Sequence, residues 1–273
     1  RSPHINAQII QQQSFLRFKD LFSFLHRHHA KLADEISLAY QNTMRWYYLN
    51  QFTRYETALK KIKLHVLDRT DVIGNEDASR KGSVLSSAKI SGPPHDAFNL
   101  GRRIDLLRTR DQSALSSYLA EEDNSTHYIE VPFRNFNLAL IDNATAEYTF
   151  LASFFSPALS YAAISRHFTY VFEPTFALGQ SLTKSLVSDT YDALGLLLSV
   201  RLNQHFQFEM QRRKVPAAEG YLNATAMLLW PRLQVVMDAH CESIRTLTSS
   251  LPTKTPSKAE QAKLSAAPHV ATQ

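Results

Sequence analysis

The chain of 273 residues has a single cysteine, Cys241. No intrachain disulfide can form, and such a chain fits a reducing compartment. Glycine is scarce as well, with seven residues. Sheets need many tight turns and turns favour glycine, so this shortage points to helices. Long hydrophobic runs are missing; the longest, near Leu194 to Leu198, is broken by Arg201 and is too short to span a bilayer. Charge of one sign is nearly balanced, at a formal +5. Three lysines against one glutamate in the last 22 residues account for +2 of it. The remaining +3 is too small a surplus to argue for nucleic acid as a partner.

Catalytic signatures are lacking too. The chain has no HExxH pair, no G-x-S-x-G elbow, no phosphate loop, no GxGxxG fingerprint and no Glu-x-x-His of a di-iron bundle. His26, His28 and His29 crowd together, but they lack the carboxylates or cysteines that would complete a metal set. The reading is of a non-enzyme with no cofactor and no metal. Three N-x-S/T sequons, at Asn124, Asn143 and Asn223, are of a kind that arises often by chance.

What is present is helical periodicity. Apolar residues make up 44% of the chain and charged ones 20%, an ordinary globular balance. Phe15, Phe18, Phe22, Leu25, His29, Leu32 and Ile36 step alternately by three and four, a heptad-like seam. A second seam follows at Tyr48, Phe52, Tyr55, Leu59, Ile62 and Val66, and no Gly or Pro interrupts Ser14 to Asp68. This predicts one or two helices over about 50 residues, up to roughly 80 Å long, with His26 to His29 as the place for a break. The dense aromatic stretch Trp46, Tyr47, Tyr48, Phe52 and Tyr55 suits the core on one helix face and an interface on another.

Further along, a helix is expected through Phe133 to Phe155. Ser156-Pro157 reads as the cap and first residue of another, ending at Glu173-Pro174. A helix over about 175–213 should follow, with Leu194 to Leu198 buried on all sides. Pro216 opens the last, to about Leu247, with Pro231 inside it as a kink. The domain division is residues 1–14 as a linker from an upstream region, 15–250 as a helical-bundle domain with a mobile loop at about 75–97, and 251–273 as a disordered linker. The chain opens on Arg1 and in mid-pattern, and reads as part of a longer protein.

Two features suggest contact sites. Arg102, Arg103, Arg108 and Arg110 form a basic cluster suited to anionic headgroups or an acidic partner, although solvated helix ends are the commoner use of such clusters. Ser83 follows Arg80-Lys81-Gly82 and resembles a basic-directed phosphorylation site.

Several strings go further. The run from Met44 to Asp77 (MRWYYLNQFTRYETALKKIKLHVLDRTDVIGNED) resembles the vacuolar protein sorting-associated protein 52 family. So do LIDNATAEYTFLASFF at Leu140 to Phe155, YDALGLLL at Tyr191 to Leu198, and the stretch Lys214 to Arg245 with its Leu-Trp-Pro-Arg core. The resemblance covers most of 15–250. It implies an all-α, elongated stacked helical bundle of the multisubunit-tether type, like the exocyst and its CATCHR relatives. It also implies a subunit of the Golgi-associated retrograde protein (GARP) complex, capturing endosome-derived vesicles on the cytoplasmic face of the trans-Golgi network. The implied partners are other tether subunits, a Rab-type small GTPase, SNARE proteins and a peripheral membrane surface. A stand-alone adaptor for a small GTPase or an anionic membrane is the alternative.

Overall fold

The computed structural model describes residues 7–74, 98–108, 114–116, 120, 122 and 124–250. The first helix, α1, spans Ala7–Gln13, inside the stretch read as linker. A 3-10 turn at Phe15–Phe18 leads into α2 (Lys19–His28) and then α3 (Ala30–Leu59). The break expected among the histidines falls at the last of them. His29 takes φ −143° and ψ 62°, outside the helical region.

Helix α3 ends at Leu59, nine residues before the expected stop at Asp68. The chain turns at Lys60 and Lys61, and Lys63–Leu64 (β1) pairs in parallel with Thr126–His127 (β2). Ile62 stays in the core, but Val66 at the end of the second seam is 82% exposed. Periodicity within one segment cannot report a backbone pairing with residues 63 positions away, so this strand escaped the sequence reading.

After a one-turn helix, α4 (Asp105–Arg108), the bundle continues with α5 (Glu130–Phe155), which the sequence placed closely. Ser156-Pro157 does not start the next helix. Ser160 caps it instead, its hydroxyl accepting from the Ala163 N–H at 3.3 Å. Helix α6 (Tyr161–Val187) then passes straight through Glu173-Pro174. A proline inside a helix deprives the carbonyl four residues back of its donor. Here the deprived carbonyl belongs to Tyr170, and the Arg45 guanidinium from α3 donates to it. The same guanidinium lies 4.6 Å over the Tyr170 ring and 2.9 Å from the Glu173 carboxylate. Tertiary contact thus repairs the ladder that the local rule would have broken.

The single helix expected over 175–213 is two. α6 stops at Val187, and α7 (Ala193–Arg212) begins after Asp192, whose carboxylate accepts from the Gly195 N–H at 2.8 Å. Within Leu194 to Leu198, Leu196 and Leu198 are buried but Leu197 faces out, so the run is not enclosed on all sides. The α7 C-terminus closes as a Schellman turn: Val215 N–H reaches Met210 O at 3.0 Å and Lys214 N–H reaches Gln211 O at 3.1 Å. Lys214 sits at φ 57°, where glycine is usual. Pro216 heads a 3-10 turn, and α8 (Glu219–Ser250) runs on through Pro231.

The core lies where α3, α5, α6, α7 and α8 pack together. It is aromatic: Phe133, Phe136, Phe150, Phe155, Phe168, Phe172 and Tyr48 are fully buried. Tyr48 stacks on Phe172 with centroids 4.6 Å apart. Gly179 marks a close approach in this core, since a Cβ there would fall 2.4 Å from the Tyr221 hydroxyl and 2.8 Å from the Phe136 ring. The fold is an all-α bundle with one minimal strand pair among the described residues.

Candidate interaction surface

The structure separates the four arginines. Arg103 is an internal clasp, not a surface contact. Its guanidinium meets Glu130 at 2.7 and 2.8 Å and Asp192 at 2.6 and 3.2 Å. It also lies 3.6 Å over the Tyr128 ring. Burial opposes the charge of Arg103, but the two carboxylates outweigh it and hold its pKa above the ordinary value. The clasp ties the first turn of α5 to the cap of α7. Nothing near Arg103 in sequence names these partners, which lie 27 and 89 positions away. Arg102 and Arg108 do face solvent, and each lies 3.9 Å from Asp105, which offsets part of their charge. Arg110 and Ser83 fall outside the described residues.

A second buried centre was not foreseen. Glu147 on α5 is fully buried, and no cation among the described residues touches it. Tyr40 donates to its Oε1 at 2.6 Å, while Tyr48 and Gln11 donate to its Oε2 at 2.9 and 2.6 Å. Gln11 also donates to the Tyr40 hydroxyl at 2.7 Å. Burial pushes the Glu147 carboxyl up, against the pull of its three donors. Burial and the Glu147 charge raise both tyrosines far above their usual range, so they remain protonated donors. Enclosed in this way, the carboxyl joins α1, α3 and α5. A glutamate on the apolar face of a helix, beside Tyr148 and Leu151, was the available signal. The described residues contain no group of three His, Cys, Asp or Glu able to hold a metal. Nor is any described helix long and apolar enough to cross a membrane.

The outer surface carries apolar side chains in register. Along α8, Met227, Trp230, Met237, Cys241 and Ile244 are all exposed on one stripe that steps by three and four, with the polar Gln234 between Trp230 and Met237. The first seam of the sequence behaves similarly. Phe22 is buried and Leu25 packs on the core, but Phe15, Phe18, Leu32 and Ile36 are exposed. The buried residues of α3 are instead Ala33, Ser37, Gln41, Met44, Tyr48, Phe52, Tyr55, Glu56, Ala58 and Leu59. Trp46 points outward while Tyr48, Phe52 and Tyr55 point inward, so the aromatic stretch divides between two faces. A cleft of about 320 Å³ lies under the turn between α7 and α8, with Gln207, Gln211, Lys214 and Glu219 in its lining. Its polar groups are amides and one pair of opposite charges, without the nucleophile and base that would mark a reaction centre.

Comparison with known proteins gives the family. The model described as "Vps52, C-terminal" matches residues 42–273. The chain belongs to the Vps52 family. Vacuolar protein sorting-associated protein 52 of Saccharomyces cerevisiae is 31% identical, over 86% of this chain and 40% of that protein. Its counterpart 52 A of Arabidopsis thaliana is 33% identical over 90% of this chain and 34% of its own length. The human homolog is 28% identical, again over 90% and 34%. The chain thus spans two fifths or less of these three Vps52 relatives. No solved structure matches. Glu147, Tyr48, Glu130 and Asp192 lie inside the matched Vps52 region, whereas α1, α2 and the first turns of α3 lie before it.

Proposed function

We propose that the chain is a non-catalytic scaffold segment of a vesicle-tethering complex of the GARP type, serving retrograde transport from endosomes to the trans-Golgi network. Its work is to hold other proteins in place at the cytoplasmic face of those membranes. Its partners are the other tether subunits, with a Rab-type small GTPase and SNARE proteins as the membrane-specific contacts. The observation that carries this reading is the Vps52 family match over residues 42–273. The architecture supports it. Helices supply reach at about 1.5 Å per residue, and several weak contacts on one rigid body gain strength from effective concentration.

The test is affinity capture from cell lysate with the folded chain as bait. Recovery of tether subunits above a scrambled-surface control is the expected result. Recovery of none, from bait shown to be folded by its cooperative melt, overturns the reading. Membrane contact through Arg102 and Arg108 is tested separately by co-sedimentation with anionic liposomes at low salt. Charge reversal of both to Glu should abolish any binding seen.

A further inference from the structure

The chain ahead of the His29 break is fixed to the bundle by one side. Leu16 and Leu25 pack on the core, the buried Phe22 ring lies 5.0 Å from Phe155, and Gln11 donates to Glu147 at 2.6 Å. The other side is open: Phe18, Leu21 and Phe24 are 55%, 62% and 57% exposed. Leu21 and Phe24 stand three apart on α2 and share a face, and Phe18 stands three before them in the 3-10 turn. The apolar sector of α2 is therefore wider than the bundle covers. Phe22 and Leu25 turn inward, Leu21 and Phe24 outward. Of the five exposed phenylalanines among the described residues, Phe15, Phe18 and Phe24 fall here, so the exposure is concentrated and not scattered.

Positive charge is concentrated in the same place. Residues 15–31 carry Arg17, Lys19, Arg27 and Lys31, all exposed, against one acid, Asp20. That surplus is more than half of the formal +5 of the whole chain. Among the described residues none of the four cations is in an ion pair, and Arg27 reaches only the Ser23 hydroxyl, at 3.5 Å. Of the next two acids, Asp34 acts on His167 of α6, and Glu35 stands a turn past Lys31. The outward stripe of α8 is different. From Met227 to Ile244 it contains no charge, the composition of a seam that takes another helix. On the arm, Arg17 adjoins Phe18 and Arg27 follows Phe24 by three. Cations set among exposed rings are depleted from the core of a protein interface. They suit a lipid interface, where the rings enter the headgroup–acyl boundary and long cationic side chains reach back to the phosphates.

We propose that residues 15–31 form a docking face for an anionic phospholipid membrane. Phe18, Leu21 and Phe24 enter the boundary between headgroups and acyl chains, and Arg17, Lys19, Arg27 and Lys31 meet the lipid phosphates. The face is preformed, because the inward side of the arm already holds it on the bundle, so docking orders no new segment. Apolar and electrostatic attraction act together, and neither alone accounts for the binding. The proposal depends neither on the tether reading nor on a contact at Arg102 and Arg108.

Co-sedimentation of the whole chain with vesicles tests this, using phosphatidylcholine alone and phosphatidylcholine with a third of phosphatidylserine. Wild type should bind the anionic vesicles at low salt and the neutral ones several-fold less. The triple variant Phe18→Ser, Leu21→Ser and Phe24→Ser removes only exposed side chains and should keep the wild-type melt. Its binding should fall by about tenfold or more. Arg17→Gln, Lys19→Gln, Arg27→Gln and Lys31→Gln together should lose about fivefold per charge at low salt, and the salt dependence with it. Insertion is read from Phe24→Trp in a background of Trp46→Phe and Trp230→Phe, whose emission should shift to the blue on anionic vesicles. Wild type that ignores anionic vesicles overturns the proposal. So does binding that survives the serine and the glutamine variants. Loss with Arg102→Glu and Arg108→Glu while the serine variant still binds overturns it too, as does binding without a blue shift. If wild type ignores vesicles and the serine variant loses tether subunits in lysate capture, the face belongs to a protein and the membrane proposal falls. Failure on vesicles leaves lysate capture by wild type untouched, so the two readings fail separately.

Discussion

The two buried charged centres solve opposite problems. At Arg103 a cation is matched by two carboxylates and an aromatic face. At Glu147 an acid is surrounded by neutral donors alone. The first centre keeps its charge because its partners are charged. The second keeps its place because three buried donors converge on its two oxygens. Charge matching therefore makes one clasp costly to break from either side, while the other depends on which protonation state the carboxyl holds. They also differ in reach. Arg103 joins elements within residues 42–273, whereas Glu147 also takes a donor from α1, ahead of residue 42.

The largest expected effect is at the matched centre. Arg103→Ala leaves Glu130 and Asp192 buried side by side without a cation, and should cost about 3–5 kcal/mol in urea unfolding. Arg103→Lys, which keeps the charge but not the fork, should fall in between. If Arg103→Ala costs less than Glu147→Ala, the ranking of the two centres is wrong.

Glu147→Ala strands two tyrosine hydroxyls and the Gln11 amide and opens a small cavity, for a loss of about 2–3 kcal/mol. Its pH dependence sharpens the contrast. Burial raises the Glu147 pKa, so the native state holds that proton more tightly than the unfolded chain. The stability this provides is complete below the ordinary carboxylate range and is lost as pH rises through the raised native value. Glu147→Gln removes the titration. Its stability relative to wild type should therefore improve as pH rises from that range toward neutrality, measured by urea melts across the interval. A gap that is constant with pH would mean that the native pKa is not raised.

Two smaller effects test features away from both centres. Arg45→Ala leaves the Tyr170 carbonyl beside Pro174 without its donor and should cost about 1–2 kcal/mol, read from the denaturation midpoint. An unchanged midpoint would show that water replaces the guanidinium at no cost. Lys214→Gly relieves a left-handed residue in the Schellman turn and should stabilise the chain by about 0.5–1 kcal/mol. A lower melting temperature would show that the Lys214 side chain contributes more than its backbone geometry costs.

Much of the helix order was legible. The limits of α5 and the place of Pro216 followed from periodicity and capping residues, which are local signals. The break at the histidines was readable only as a place, because helical spacing continues through it. Pro174 and Asp192 misled in opposite directions. Pro174 carries the strongest local stop signal, yet Arg45 supplies the missing bond from another helix. Asp192 caps a helix where the apolar pattern alone reads as continuous. At the surface, Arg103 had the same local appearance as Arg102, and only packing tells them apart.

By itself the sequence determined that the protein is helical, which residues are apolar in register, and that its recurring strings are those of the Vps52 family. These depend on chemistry along a few turns of chain. The tertiary structure alone decided which face of each helix is covered and which arginine is buried. It also decided that a lone glutamate is held by residues from two other helices. Burial and pairing are set by elements far apart in the chain, 27 and 89 positions at Arg103 and 107 between Tyr40 and Glu147, and no local pattern encodes those distances.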